Sequence, residues 1–274
     1  MTSRGCRDGQ VNNRDEQRSR GAPGTGHPRS ELDSRSPLQW SVVIPAYNEA
    51  RRLPRYLDTV VAYFDGRGEP YEVIVVDDGS TDDTAAVVER MGQHYAAVTV
   101  IRSGRNEGKG AAVRSGMLAA RGRWRLFADA DGATPITEVK RLEAALAAGA
   151  EVAIGSRGLS DASVFLETRR HRVLAGRIFN WLLRRVGLRG IHDSQCGFKA
   201  FTARAADTLF PRIATRGFGF DVELLFRARA VGFAIAEIAV NWADQPGSKS
   251  SVLRDGPRMM WQILRARRRL GRAA

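Results

Sequence analysis

The feature that most constrains this chain is an alternation of short unbroken apolar runs with segments of helical periodicity, between residues 40 and 157. Runs such as YEVIVVDD are short and continuous, whereas segments such as ARRLPRYLDTVVAYF space their apolar residues three and four apart. Continuous apolar runs are typical of parallel strands that are covered on both faces. Strands that alternate with helices predict an α/β fold, a doubly wound and mostly parallel sheet.

Polar clusters occur where these predicted strands end. They read PAYNE, DDGS, DAD and GSR in chain order. In open α/β sheets, ligands bind beyond the carboxyl ends of the strands. The sequence therefore predicts that these clusters converge on one functional edge of the sheet.

Composition divides the chain of 274 residues into three parts. Residues 1–38 are polar and almost free of aliphatic side chains, which predicts a disordered tail. Residues 39–253 form the predicted folded domain, and residues 254–274 a basic amphipathic helix. Nearly all of the net charge of +13 lies in residues 167–190 and 254–274, each with seven arginines and one acid.

Such a basic excess fits a nucleic acid, an anionic membrane surface or a phosphorylated substrate. The arginines flank aliphatic stripes instead of alternating with aromatic residues, and the strand ends carry carboxylates, so nucleic-acid binding is disfavoured. Amphipathic helices with arginine-rich polar sides, within 167–190 and 254–274, are expected to lie on an anionic membrane. The alternative is that the first helix packs on the sheet and the second on a partner subunit.

The sequence also argues against a membrane-spanning protein, a secreted protein and a disulfide-rich protein. No stretch approaches 18 consecutive apolar residues, so we expect no transmembrane span. The polar N-terminus has no apolar signal region, so no secretory signal is expected. Cys6 and Cys196 have neither metal-site spacing nor a disulfide framework.

Asp129 and Asp131 end one predicted strand, in FADADGATP. Two carboxylates one residue apart lie within reach of one divalent cation, and Mg²⁺ or Mn²⁺ takes carboxylate and phosphate oxygens together. Asp77 and Asp78 end another strand, where an acid suits a ribose hydroxyl or a uracil edge. For both pairs a turn or helix-cap role is the alternative.

Five motifs in the first half resemble family 2 glycosyltransferases of the A-type nucleotide-sugar fold (GT-A), in family order over about 115 residues. They are VVIPAYNEARRL, VIVVDDGSTDDT, NEGKGAAVRSGM, FADADGATP and GSR. The later motifs DSQCGFKAF, GFGFDVELLFRA and WADQPGSKSSVLRD are similar to those of polyprenyl-phosphate sugar synthases, above all the dolichyl-phosphate β-glucosyltransferase branch. The likeness covers roughly residues 40–265.

The resemblance implies an inverting transfer of a hexosyl group, glucosyl by the nearest branch, from a UDP-sugar to a polyprenyl monophosphate. The enzyme would need Mg²⁺ or Mn²⁺ and act peripherally at the cytoplasmic face of the cell membrane. Mannose-transferring relatives carry DADLQ, with glutamine where this chain has Ala133, which favours a UDP-sugar over GDP-mannose. The alternative is a family 2 transferase with another donor sugar (GlcNAc, GalNAc, Gal or Man) or a soluble or polysaccharide acceptor.

The same resemblance assigns roles to individual residues. The implied catalytic residues are Asp131, Asp193 and Arg157, and the implied metal ligands are Asp129 and Asp131. The implied nucleotide-sugar contacts are Pro45, Ala46, Tyr47, Glu49, Asp77, Asp78, Lys109, Asp129, Gln195, Lys199, Lys249 and Arg254.

Overall fold

The alternation predicted from sequence is present in the computed structural model of the chain, which describes residues 38–159, 161–167, 188, 190–245, 259–265 and 267–268. The strands are β1 Trp40–Ala46, β2 Tyr71–Asp77, β3 Val98–Arg102, β4 Trp124–Ala128, β5 Val152–Ser156, β6 Leu166–Glu167, β7 Phe198–Thr202, β8 Ile235–Ala239 and β9 Trp242–Ala243. The helices are α1 Leu53–Asp65, α2 Thr84–His94, α3 Lys109–Ala119, α4 Val139–Ala147, α5 Ala203–Leu209 and α6 Phe220–Val231. Residues 259–265 are also helical.

Seven of the strands form one sheet in the order β3-β2-β1-β4-β7-β5-β8. Strands β1 to β4 run parallel to one another, and β5 is parallel to β8. Strand β7 lies antiparallel between β4 and β5. The predicted mostly parallel, doubly wound sheet is therefore confirmed.

The unbroken apolar runs are explained by burial on both faces of this sheet. In β1, Val43 belongs to one buried cluster while Val42 and Ile44 belong to another. Helices α3, α5 and α6 contribute to the first cluster, and α1 and α4 to the second. Because successive side chains of a strand point to opposite faces, a strand covered on both faces needs apolar residues throughout.

Helix α3 lies very close to the sheet because it carries Gly116. A Cβ at this position would lie 2.4 Å from Val43 Cγ1 and 2.9 Å from Val76 Cγ2. This approach brings the start of α3 to the carboxyl ends of β1 and β2, where the polar clusters lie.

The two basic segments are described only in part. Within 167–190, the structure describes residues 167, 188 and 190, so the predicted interface helix lies outside the described residues. The predicted tail 1–38 lies outside them too, except for Leu38. In the C-terminal segment, Met259 and Ile263 are buried in the first cluster, so part of the apolar stripe predicted to contact the membrane packs on the domain instead. None of the described helices is long and apolar enough to cross a membrane.

Replacing Gly116 should test the close packing of α3. The Gly116→Val side chain overlaps Val43 and Val76, and overpacking of a filled core costs about 1–3 kcal/mol. We expect the free energy of unfolding to fall by that amount in denaturant titrations. In the control variant Gly104→Val, where a Cβ meets no atom of the described part of the chain within 4 Å, stability should be unchanged. Equal stability of the two variants would contradict the packing.

Candidate active site

The loops after β1 and β2 are joined by hydrogen bonds at the carboxyl edge of the sheet. Ala46 pairs in register with Asp77. Beyond them, Asn48 Oδ1 accepts from Thr81 N at 2.7 Å, and Asn48 N donates to Ser80 Oγ at 2.9 Å. Asn48 has a φ of 55°, a left-handed conformation that asparagine tolerates better than most residues. The loop with the predicted nucleotide contacts Pro45, Ala46, Tyr47 and Glu49 therefore lies beside the loop that follows Asp77 and Asp78, which are predicted contacts too.

The two acids that follow β2 have different surroundings. Asp77 Oδ1 accepts from Ser80 N at 3.2 Å, and Asp77 borders a cleft of about 480 Å³ at the ends of β2 and β3. Asp78 accepts from Glu107 N and Gly108 N, both at 2.9 Å. Asp78 thus fastens the segment that leads into α3.

Glu49 forms an ion pair with Arg52. Arg52 Nε and Nη2 donate to the two oxygens of Glu49 at 2.7 and 2.5 Å. The hydrogen bond from Glu49 raises the pKa of Arg52, and the charges of Asp131 and Asp129 raise it further, against the effect of burial. Arg52 therefore adds positive charge beside the paired aspartates, a role that the sequence analysis did not assign.

Asp129 and Asp131 lie directly after β4 and are positioned by backbone contacts. Asp129 N donates to Gly197 O at 3.0 Å, and Asp131 Oδ1 accepts from Ala133 N at 3.1 Å. A Cβ on residue 197 would lie 2.1 Å from Asp129 Oδ2, so the Asp129 carboxylate occupies space that only glycine leaves open. Burial and the neighbouring Asp129 raise the pKa of Asp131, since both disfavour a second negative charge.

Lys109, at the start of α3, supplies a counter-charge. Its Nζ lies 2.6 Å from Asp129 Oδ1. Burial disfavours the charged lysine, but the charges of Asp129 and Asp221 outweigh that effect and raise the pKa of Lys109. The nucleotide-proximal lysine predicted from sequence therefore contacts a candidate metal ligand directly.

The chemistry of the paired carboxylates fits a hard divalent cation. Among the described residues, no cluster of three or more His, Cys, Asp or Glu side chains is arranged to hold a metal ion by itself. Asp129 and Asp131 provide two carboxylate ligands, which leaves coordination positions for diphosphate oxygens and water. This arrangement suits a cation that binds together with a nucleotide.

Arg157 and Asp193 form a second charged pair nearby. Asp193 Oδ2 accepts from Arg157 Nε at 2.6 Å and from Arg157 N at 3.0 Å, and Oδ1 accepts from Nη2 at 3.0 Å. Burial opposes ionisation of Asp193, but Arg157 outweighs it and lowers the pKa of Asp193 to about 2. The guanidinium also lies over the Trp242 ring, 5.5 Å from its centroid. Asp193 was predicted to be catalytic, but a carboxylate held in this way positions Arg157 and is unsuited to accept a proton.

Gln195 follows in the same loop and retains an unused donor. Its backbone N donates to Asp193 Oδ1 at 3.0 Å, whereas its side-chain Nε2 is buried and has no hydrogen-bond partner among the described residues. A buried amide without a partner costs free energy that a ligand can recover. Gln195 therefore remains a candidate contact for the donor sugar or the acceptor.

Lys199 lies inside the protein. Its side chain is fully buried, and Nζ donates to Asp221 Oδ1 at 2.5 Å and to Cys196 O at 2.6 Å. The ammonium is therefore engaged by two protein groups, and its contact with the sugar or acceptor remains a prediction. The partner, Asp221, was missed; its signal was that the mostly apolar motif GFGFDVELLFRA carries two acids, Asp221 and Glu223, both of which are buried. Lys249 and Arg254 lie outside the described residues.

Comparison with known proteins agrees with this geometry. The profile of Glycosyl transferase family 2 matches residues 41–210. Dolichyl-phosphate beta-glucosyltransferase of Drosophila melanogaster is 41% identical over 231 residues, which cover 80% of this chain and 71% of the relative. The enzymes of the same name from Homo sapiens and Saccharomyces cerevisiae are 41% and 36% identical, over 77% and 80% of this chain and 69% and 71% of theirs.

Solved structures with the same fold include glucosyl-3-phosphoglycerate synthase from Mycobacterium tuberculosis. Its complex with Mn²⁺, UDP and phosphoglyceric acid aligns with a TM-score of 0.64 at 21% identity, over 86% of this chain and 78% of that one. Its complex with Mn²⁺ and UDP-glucose aligns with the same TM-score, over 86% and 80%. These likenesses confirm the GT-A fold.

The Arg157–Asp193 pair predicts a specific acid dependence of stability. The pKa of Asp193 is about 2, below its ordinary value of 3.8, so the pair stabilises the fold above pH 4 and loses this contribution as the pH falls towards 2. The contribution is about 2 kcal/mol. Chemical denaturation between pH 4 and 2 should show a steeper loss of unfolding free energy for the wild type than for Asp193→Asn. Equal losses would contradict the depressed pKa.

Proposed function

The chain belongs to glycosyl transferase family 2, and from that premise we propose that it transfers a glucosyl group from UDP-glucose to a polyprenyl monophosphate, with inversion to a β-linked product. It is a glycosyltransferase whose curated relatives are named dolichyl-phosphate beta-glucosyltransferases. The observation that carries the proposal is the Asp129–Asp131 pair at the carboxyl edge of the sheet. Lys109 is bound to Asp129, and the negative charge of Asp129 also acts on Arg157.

The reaction needs positioning and charge stabilisation more than proton transfer. A phosphate oxygen of the acceptor is anionic at neutral pH and attacks the anomeric carbon. The bond from that carbon to the UDP oxygen breaks as the new bond forms, and UDP leaves with the electron pair. Preorganised cations that face the departing diphosphate lower such a barrier. Lys109 and Arg157 are the described cations that we assign to this task.

We assign Asp129 and Asp131 to hold Mg²⁺ or Mn²⁺ together with the diphosphate. When bound, the metal supplies a positive charge that offsets the charge developing on the leaving group. The relative solved with Mn²⁺ and UDP supports a divalent metal in this fold. Pro45, Ala46, Tyr47 and Asp77 are assigned to the nucleoside side of the site.

We further propose that the protein binds peripherally to an anionic membrane, at the cytoplasmic face. The support lies in the C-terminal segment, where Trp261 and Leu264 are 59% and 44% exposed although Met259 and Ile263 are buried. Arg265 lies over the Trp261 ring at 5.1 Å, and Arg267 and Arg268 are exposed. Aromatic and aliphatic side chains beside arginines are typical of interfacial helices. Gly219 N donates to Gln262 Oε1 at 3.2 Å, so this surface is attached to the start of α6.

A transfer assay tests the reaction. The protein is incubated with Mn²⁺, polyprenyl phosphate and a panel of labelled UDP- and GDP-sugars, and label is followed into the organic phase. We expect metal-dependent labelling of the lipid from UDP-glucose. Asp131→Asn should lower the rate by about 10² to 10³-fold, since it removes a ligand charge at the diphosphate. The control Asp58→Asn, an exposed acid of α1, should retain wild-type turnover.

The other outcomes separate the alternatives. Lipid label from a different UDP-sugar would mean that the proposed reaction class is correct and that the donor sugar is not glucose. UDP release that depends on metal but labels no lipid would contradict the lipid acceptor and favour a water-soluble one. Near-normal turnover of Asp131→Asn would contradict its role in holding the metal.

Liposome flotation tests the membrane surface. We expect binding to vesicles that contain anionic lipid, because each basic residue near such a surface contributes about 1 kcal/mol. The variant Trp261→Ala/Leu264→Ser should lower the bound fraction about tenfold, since apolar burial is lost. Val231→Ser, which alters an exposed apolar residue at the other end of α6, is the matched control. Binding that is indifferent to lipid charge, or equal in both variants, would contradict the proposed surface.

A further inference from the structure

A buried ion pair lies beside the paired aspartates. Asp221, in the first turn of α6, and Lys199, on β7, have side chains that are 2% and 0% exposed, and their charged atoms are 2.5 Å apart. Burying two charges carries a large desolvation cost, which a pair of apolar residues would avoid. Because the pair lies next to the site, its charges act on the charged groups of the site, which apolar side chains could not do.

Lys199 supports the segment on which Asp129 rests. Its Nζ donates to Cys196 O at 2.6 Å, and the next residue, Gly197, accepts from Asp129 N at 3.0 Å. The Asp129 carboxylate then lies where a Cβ of residue 197 would be. A shift of Lys199 would therefore move Cys196, and with it the adjacent Gly197 that contacts Asp129.

Asp221 acts on the site by a second route, through its charge on Lys109. A Cβ on Gly110 would lie 2.6 Å from Phe220 Cβ, so the starts of α3 and α6 touch. Lys109 accordingly lies in the field of three carboxylates: Asp129, which it contacts at 2.6 Å, Asp221 and Asp131. Asp221 in turn lies in the field of two ammonium groups, Lys199 and Lys109. In the series Asp129, Lys109, Asp221 and Lys199 the charges alternate in sign.

We infer that Asp221 and Lys199 are positioning residues that set how strongly Lys109 holds Asp129, and thereby how readily Asp129 binds a divalent cation. The inference deepens the proposed metal site and rests on it. Neutralising Asp221 leaves Lys199 uncompensated and strengthens the hold of Lys109 on Asp129, so cation binding weakens. Neutralising Lys199 leaves Asp221 to attract Lys109 away from Asp129, so cation binding becomes tighter.

Mn²⁺ alone, titrated into the full chain without nucleotide and followed by the EPR signal of the free ion, tests this directly. We expect Asp221→Asn to raise the Kd for Mn²⁺ about tenfold and Lys199→Met to lower it about threefold. The double variant Asp221→Asn/Lys199→Met restores the charge balance and should return within about twofold of wild type.

The control is a buried acid at the opposite end of the strands. Glu72 accepts from Ser41 Oγ at 2.6 Å and pairs with Arg121 at 3.1 Å. Glu72→Gln should lower the unfolding temperature and leave the Kd for Mn²⁺ unchanged. A variant that keeps the buried pair intact gives a second test. Lys109→Gln removes the resident counter-charge of Asp129 and should tighten Mn²⁺ binding, even where the buried variants fold poorly.

Three results would overturn the inference. Weaker Mn²⁺ binding in both single variants, with a further loss in the double variant, would mean that the pair only supports the fold. Unchanged Mn²⁺ binding in folded single variants, or in Lys109→Gln, would show that these charges do not control how Asp129 binds the cation, and the proposed metal site would stand. Absence of Mn²⁺ binding by the wild type in the millimolar range, both without nucleotide and with UDP present, would overturn the metal site together with this inference; if Mn²⁺ binds only with UDP present, the same variants are compared under that condition.

Discussion

Parallel pairing of β1, β2, β3 and β4 is the constraint on which the rest of this structure depends. Because these strands run in one direction, the acids that follow β2 and β4 reach the same edge of the sheet. Antiparallel β7 then enters from that edge and places Gly197 against Asp129. The parallel direction of the strands thus brings together carboxylates that repel one another.

The protein balances this concentration with cations from several elements. Lys109 comes from α3, Arg52 from the start of α1 and Arg157 from the end of β5. Each is held by a specific acid, which fixes the position of the positive charge in this structure. Such fixed charges are suited to a departing diphosphate, since they need little reorganisation during the reaction.

The sequence pattern predicted the α/β sheet and placed Asp129 and Asp131 at the end of a strand, where the structure has them. It could not identify the partners of Lys199 and Asp193, which the structure pairs with Asp221 and Arg157. These pairs join residues 22 and 36 positions apart, which neither periodicity nor local motifs can specify.

The sequence by itself determined the fold class, the edge that carries the site and the resemblance to family 2, because apolar runs, helical spacing and strand-end motifs are local properties of the chain. Only the tertiary structure decided which charges are buried, which residues pair and which side of the C-terminal segment is exposed. Met259 and Trp261 illustrate the reason: both are apolar and two residues apart, but only the packing of their helix against the rest of the domain buries one and exposes the other.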